Sequence, residues 1–415
     1  MIIDSKVYSG NCSCGRSHSM STQMAVVEAG CLNQFEEYVK QCNLSGFRTV
    51  VYDANTYHTP GMVRPAADLE IVLDPENLHA NEHGVALLTE QLTENGGYLV
   101  AVGSGTVHDI VRYCAYQKGI PFVSCPTAAS VDGFCSGVAA MTWEGAKKTL
   151  NAVSPVLVVA DLNVITQAPI HLARSGFGDM IGKYVALTDW RIAHILTGEF
   201  YCDRIARITE EATQAVLDSA EGIATGDVQA YEKLTYGLLL SGIAMQMFGN
   251  SRPASGAEHH ISHCIEMQPE GLGIHSDALH GEKVGVGTLM SVREYRRLAQ
   301  LPAESWGDYP GLDPQRVQAV FGDSLSRQIF AENEKNAAQG ITGEQIRNNL
   351  DAIRQEIDKL PDPQQLMKTY RKLGVKSTLE DIQVSQQLEQ RLLADSPMVR
   401  NRLTLMRLRS GIAKN

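Results

Sequence analysis

The stretch YLVAVGSGTVHDIVRYCAYQKG, residues 98–119, decides how the first half of this chain is read. Leu99–Val102 is a continuous apolar run, the pattern of a strand buried on both faces of a parallel sheet. From Thr106 onward, apolar residues recur at three- and four-residue spacing, as a helix packed on that sheet requires. Between them, Gly103-Ser104-Gly105-Thr106 joins strand to helix. Glycines there let the backbone approach a pyrophosphate, and the helix N-terminus offers unpaired N–H groups and a favourable dipole. GSGT is not a full GxGxxG, and a plain strand-to-helix turn explains the same residues without a ligand. Asp109 is expected in the first helical turn, where a carboxylate is stabilising in any case.

Working outward, similar β-rich runs stand at 48–54 (RTVVYDA), 69–74 (LEIVLD), 121–127 (PFVSCPT) and 156–162 (VLVVADL). Helix-compatible segments such as NEHGVALLTEQLTEN separate them, so a mainly parallel sheet covered by helices on both faces is expected. Beyond about 166 the strand signal fades. Helix-period segments take over, among them TEEATQAVLDSAEGIA, YEKLTYGLLLSGIAMQMFG, GEQIRNNLDAIRQEIDKL and LEDIQVSQQLEQRLLADS. The expected architecture is an α/β, Rossmann-like dinucleotide-binding domain over 1–166 and an all-α metal- and substrate-binding domain over 167–415, with the active site in the interdomain cleft. Pro169 marks the break, because proline disfavours helix at the preceding residue.

The length of 415 residues exceeds what one core usually supports, which agrees with two domains. A net charge of −11 argues against nucleic acid or an anionic membrane as the main partner. The opening MIIDSKVYSGNCSC lacks the pattern of a signal peptide, and no apolar stretch is long enough to span a bilayer. A cytoplasmic location is expected, with the nine cysteines reduced and mostly buried. Cys12, Cys14 and His18 form a C-x-C…H cluster. A structural metal site needs four ligands and no fourth is near in sequence, so the plainer reading is a strand or turn with free thiols.

Two further strand ends point to a nucleotide. Asp53 closes VVYDANT, where a carboxylate accepts hydrogen bonds from ribose hydroxyls and repels a 2′-phosphate; an Asx-turn is the plainer alternative. Thr127-Ala128-Ala129-Ser130 leaves another strand with small and hydroxylic residues. For metal chemistry, Asp179, His259 and His280 supply one hard oxygen and two imidazoles, a set that suits a divalent transition ion with a position open for substrate. His259 and His263, four apart, share a helix face, and His260 points elsewhere. His275 is a spare candidate ranked below His280.

Taken together, VGSGTVHD, PTAASVDGFCS, SGFGDMIGKYVALTDW, PASGAEHHISH and ALHGEKVGVG resemble the iron-containing alcohol dehydrogenase, glycerol dehydrogenase and dehydroquinate synthase superfamily. Within it the chain looks most like the sn-glycerol-1-phosphate dehydrogenase family. These motifs cover most of residues 48–290 in the family's order. The resemblance implies NAD(P) contacts at Asp53, at Gly105, Thr106, Val107, His108 and Asp109, at Thr127, Ala128, Ala129 and Ser130, and at Ser136. It implies substrate contacts from Asp132, Asp179 and His263, with His263 relaying a proton and Asp132 holding a hydroxyl. It places one zinc, nickel or iron ion on Asp179, His259 and His280. The chain departs from the family in reading GSGT where GGGT is usual, in His108 at a commonly apolar position, and in Val131 and Phe134 around Asp132. None of these removes a ligand.

The implied activity is reversible NAD(P)H-linked reduction of dihydroxyacetone phosphate to sn-glycerol 1-phosphate for glycerolipid synthesis, by a homodimer. One rival is a glycerol dehydrogenase acting on a free polyol; Lys147, Lys148 and Lys183 are candidate phosphate partners that would discriminate, or else solvated surface cations. A second rival, a dehydroquinate-synthase-like lyase, fits poorly, because that branch typically carries a glycine- and lysine-rich stretch where this chain has VDGFCSGVAAM, and usually a Glu-His-His set. A non-enzymatic sensing module is disfavoured by a complete ligand triad.

Overall fold

All five runs read as strands lie in one sheet. The computed structural model describes residues 1–143 and 146–413. Its strands are β1 (Ile2–Asp4), β2 (Gly10–Asn11), β3 (Ser17–His18), β4 (Met24–Glu28), β5 (Phe47–Asp53), β6 (Leu69–Leu73), β7 (Gly97–Gly103), β8 (Phe122–Pro126), β9 (Val138–Trp143), β10 (Ala146–Asn151) and β11 (Leu157–Asp161). Seven of them form a sheet in the order β1-β4-β11-β8-β7-β5-β6. Every neighbouring pair is parallel except β1 with β4. The small pairs β2–β3 and β9–β10 are antiparallel.

The longer helices are α1 (Phe35–Gln41), α2 (Glu82–Thr89), α3 (Gly105–Lys118), α4 (Ile170–Ile181), α5 (Lys183–Thr197), α6 (Asp203–Asp218), α7 (Val228–Phe248), α8 (Ala257–Glu266) and α9 (His280–Ala299). Period-two geometry explains the apolar strands. Val50 and Tyr52 of β5 join one core, with Val100, Val102 and Val123 against Phe35 and Tyr38 of α1. Val51 faces the opposite core, with Leu99, Ala101 and Phe122 against Ile110, Val111 and Cys114 of α3. A sheet covered on both faces leaves no position for a polar alternation.

The chain divides into two compact units, Met1–Gly176 with Gln214–Asn250, and Phe177–Thr213 with Ser251–Asn415. Strand gives way to helix after Asp161, close to the expected break at 166, but the units interleave along the chain. Residues 214–250 return to the first unit because α7 packs its small residues there: a Cβ on Gly242 would stand 2.7 Å from Cys135 Cβ and 3.1 Å from Asp132 O. The second unit is helical, around a core that includes Ile261, Met290, Tyr295, Trp306 and Phe321.

The segment 379–396 is not the long helix its spacing predicts. It breaks into 3-10 turns at Glu380–Ile382 and Gln386–Leu388 and a short helix at Glu389–Asp395. Gln383, at φ +64°, turns the chain out of the helix, and Leu379, Ile382 and Val384 are buried by the turn. None of the nine cysteines is in a disulfide, and seven are buried. Among the described residues no helix is long and apolar enough to cross a membrane.

Candidate metal and dinucleotide sites

Glycines in GFGD and HGEKVGVG are what bring the metal set together. A Cβ on Gly178 of α4 would stand 2.3 Å from Gly281 O, and one on Gly285 of α9 would stand 3.2 Å from Gly178 Cα. A Cβ on Gly287 would meet Glu258 O at 2.6 Å. Helices α4, α8 and α9 therefore touch backbone to backbone along a seam that side chains would hold open. Asp179 follows Gly178, His259 lies on α8, and His280 opens α9. Their ligand atoms all lie within 4.8 Å of one another, and His259 Nε2 is 3.5 Å from Asp179 Oδ1.

The protons on the imidazoles are fixed by carboxylates. His259 Nδ1 lies 2.6 Å from Glu258 Oε1, and His280 Nδ1 lies 2.9 Å from Glu266 Oε1. An ionised carboxylate only accepts, so each Nδ1 carries a hydrogen and each Nε2 is the nitrogen left to face a cation. Burial alone would raise the Asp179 carboxyl, but the Lys183 ammonium, 2.9 Å away, followed by His259 and His280, holds it well below the usual range. Burial also raises Glu266, and His280, His263 and Lys283 overcome it. Two oriented imidazoles and an ionised carboxylate are a donor set a divalent ion can take, and the residues fit the group.

His263 adjoins this set, its ring 5.8 Å from that of His280 and 5.9 Å from that of His259. Burial, then the charge of Arg400, keeps it neutral well below the usual histidine range, and its Nδ1 has no partner. A neutral imidazole with a free ring nitrogen is equipped to move a proton. His260 is fully buried and belongs to none of the candidate ligand clusters among the described residues. His275 is exposed, 3.3 Å from Asp277 and apart from the ligand set. Lys183, read as a phosphate partner or surface cation, is neither exposed nor unoccupied: it is fully buried against Asp179. Its position one helical turn after Asp179 explains this.

The dinucleotide candidates gather at the carboxyl ends of the central strands. β6 and β7 flank β5 on opposite sides, and β8 continues beyond β7. The crevice outside the carboxyl ends of β5 and β7 is therefore a topological switch point, where open α/β sheets bind ligands. Asp53 ends β5 and Gly103 ends β7. A Cβ on Gly103 would stand 3.1 Å from Asp53 Oδ2 and 3.2 Å from Val107 Cγ2, so only glycine leaves the crevice open. Ser104 caps α3 without a side-chain hydrogen bond, leaving the first N–H groups of the helix available. The Thr127 N–H donates to Gly103 O (3.2 Å), drawing the Thr127–Ser130 loop to the same strand end.

Three details differ from the sequence reading. Asp53 is the cap of a one-turn helix at Ala54–Tyr57, accepting from the Thr56 N–H (2.9 Å) and hydroxyl (3.0 Å), so the Asx-type reading is realised at the end of β5. Asp109 lies in the second turn of α3, because Ser104 is the cap and Gly105 the first helical residue; it pairs with Arg112 at 3.8 Å. The His108 side chain turns inward, its Nδ1–H donating to Ser104 O (2.8 Å) and its ring edge-on to Phe134.

Elsewhere in the first unit, Asp132 accepts from the Ser241 hydroxyl (2.8 Å), and Ser136 Oγ accepts from the Val138 N–H (3.1 Å). Lys148 lies on β10 opposite Met141. The side chain of Lys147 lies outside the described residues.

Residues 26–169 match the family model of iron-containing alcohol dehydrogenase. A glycerol-1-phosphate dehydrogenase (NAD(P)+) of Bacillus licheniformis is 34% identical over 411 residues, covering 96% of this chain and 92% of the relative. The chain belongs to the glycerol-1-phosphate dehydrogenase family. A second family member, from Bacillus subtilis, is 40% identical over 336 residues, covering 77% of this chain and 82% of its own. The fold is that of a solved probable glycerol dehydrogenase from Sinorhizobium meliloti, with a TM-score of 0.55 at 20% identity, over 81% of this chain and 98% of that one.

Against this family background, three partners escaped the sequence reading. Glu258 and Glu266, which fix the histidine tautomers, and Lys183, which charges Asp179, sit within seven residues of a ligand. The available signal was Glu-His at 258–259 and His-x-x-Glu at 263–266, carboxylates within reach of clustered imidazoles.

Proposed function

We propose that this chain catalyses the reversible, NAD(P)-linked reduction of dihydroxyacetone phosphate to sn-glycerol 1-phosphate. The observation that carries the reading is the convergence of Asp179, His259 and His280, both imidazoles held at Nδ1 by carboxylates, in a chain of this family. A divalent ion held there supplies Lewis-acid stabilisation of the charge that develops on the reacting oxygen, and the nicotinamide supplies hydride. Zinc, nickel and ferrous iron all suit one carboxylate and two imidazoles.

The chain's own residues do the rest. The uncapped N-terminus of α3 receives the pyrophosphate, and Asp53 accepts from ribose hydroxyls in place of the Thr56 hydroxyl. Glu258 and Glu266 keep the ligand imidazoles oriented. His263, neutral and with a ring nitrogen unpartnered, relays the proton to and from the product hydroxyl. Asp132, held by Ser241, orients a second hydroxyl. Lys283 and Arg400 replace Lys183 as candidate phosphate partners: Lys283 Nζ is 4.0 Å from Glu266, and the charge of Arg400 reaches His263. A cytoplasmic homodimer remains part of this proposal.

The occupation of Lys183 by Asp179 favours the rival reading of an unphosphorylated polyol, because it removes one phosphate partner. Steady-state kinetics separate the two. NADH oxidation on dihydroxyacetone phosphate is expected to exceed that on dihydroxyacetone by orders of magnitude in kcat/KM, and D179N is expected to lose the ion of this site and turnover together. Comparable rates on the free ketone would establish the rival, and a reaction with no net NADH consumption would point to the lyase.

A further inference from the structure

The first unit carries a second constellation of metal-ligating side chains that the dehydrogenase chemistry leaves unused. We propose that Cys12, Cys14 and His18 form a structural site for a thiophilic divalent cation, zinc being the expected occupant, on an N-terminal hairpin.

The hairpin makes the site. β2 and β3 pair Gly10 with His18 and Asn11 with Ser17. The turn between them closes by the Cys12 N–H donating to Arg16 O (3.0 Å) and the Gly15 N–H donating to Cys12 O (3.0 Å). Gly15, at φ +84°, supplies the left-handed residue the reversal needs. The turn thus carries two thiols, and the returning strand brings an imidazole to them. The three donor atoms lie within 4.8 Å of one another, and Cys14 Sγ is 3.3 Å from His18 Nε2. Bond lengths of about 2.3 Å to sulfur and 2.0–2.1 Å to nitrogen place neighbouring donors of a tetrahedron roughly 3.5–3.8 Å apart. Binding therefore needs only a small outward shift of this pair.

His18 is also prepared for the task. Its Nδ1 lies 2.9 Å from the carbonyl oxygen of Met247, in the last turn of α7. A carbonyl cannot donate, so Nδ1 carries the hydrogen and the Nε2 lone pair faces the thiols. That is the arrangement by which a backbone carbonyl orients a metal-bound histidine. The imidazole is almost completely buried, although the strands on either side of the turn are two residues long. So short a hairpin does not hold itself together in water. A cation bridging the turn to β3 ties the hairpin, through His18, to the end of α7. Thiolate donors select zinc over magnesium or calcium. The remaining coordination position goes to water or to a further thiolate of the chain.

Cobalt(II) substitution distinguishes this site from the Asp179 site, which has no sulfur donor. Holoenzyme is expected to carry two metal ions per chain by elemental analysis. After exchange with cobalt, thiolate-to-cobalt charge-transfer absorption is expected in the near ultraviolet. That absorption is expected to persist in D179N, weaken in C12S and C14S, and vanish in the C12S/C14S protein. One metal ion per wild-type chain, no thiolate band, or a band surviving in C12S/C14S would overturn the proposal. So would an intact mass two hydrogens light with peptide mapping that places the disulfide at Cys12–Cys14. Wild type and D179N decide the matter even where a cysteine variant fails to fold.

Discussion

Burial holds the His108 imidazole neutral in the fold, pushing its pKa from 6.5 down to about 3. The depressed value sets the sign. Between those limits the unfolded chain binds a proton that the folded chain refuses, so stability present above 6.5 is lost as the pH falls. The loss amounts to about 2 kcal/mol by about pH 5. H108N keeps a donor for Ser104 O and removes the titration. Denaturant unfolding from neutral to acid pH is expected to show a smaller absolute stability and a flatter pH slope than wild type; an unchanged slope would remove His108 as a source of acid sensitivity. Residues of this kind were only half legible. Asp179, His259 and His280 stood out because histidine is scarce and clustered in this chain. The inward turn of His108 did not, since a histidine next to a glycine-rich turn looks the same whether it faces a ligand or Phe134. Asp53 showed the reverse case: the capping role is observed, and it does not exclude the proposed contact with a ribose.

Among elements, the seam between α4, α8 and α9 is the determinant of the metal set. In G178A the new methyl meets Gly281 O at 2.3 Å, and backbone cannot rotate out of the way. Separation of the two helices is expected to cost roughly 1–3 kcal/mol. It moves Asp179 away from His280 as well, with metal affinity falling roughly tenfold or more. Calorimetric melting and metal titration check the two effects separately, and a melting loss with full affinity would uncouple the seam from the site. Five strands of the sheet were legible to within a residue or two, because burial on both faces writes a continuous apolar run; β4, whose buried run is only Ala25–Val27, was passed over. β1 and the β2–β3 hairpin were not legible either, since three or two residues cannot display a period. The region after Leu379 misled for a different reason. Its apolar spacing is helical, while a single left-handed residue at Gln383 decides the backbone.

At the scale of the whole molecule, the two groups of site residues belong to different compact units. The dinucleotide candidates from Asp53 to Ser136 lie in the first, and Asp179, His259, His263 and His280 lie in the second. The sequence could show that strands precede helices; it could not show that residues 214–250 rejoin the first unit, since that return is made by packing far along the chain. Membership predicts separable behaviour. Chelation is expected to abolish turnover and lower the melting temperature, the bound ion contributing roughly 3–4 kcal/mol at 100 to 1,000 times its dissociation constant. NADH binding, followed by fluorescence, is expected to survive in D179N, which lacks only the ion of the Asp179 site; its disappearance there would mean the dinucleotide candidates depend on that ion. A cell starved of the metal would then hold polypeptide that still sequesters reduced dinucleotide while turning nothing over, so that nutrient supply, not expression level, sets how much catalyst a given amount of chain represents.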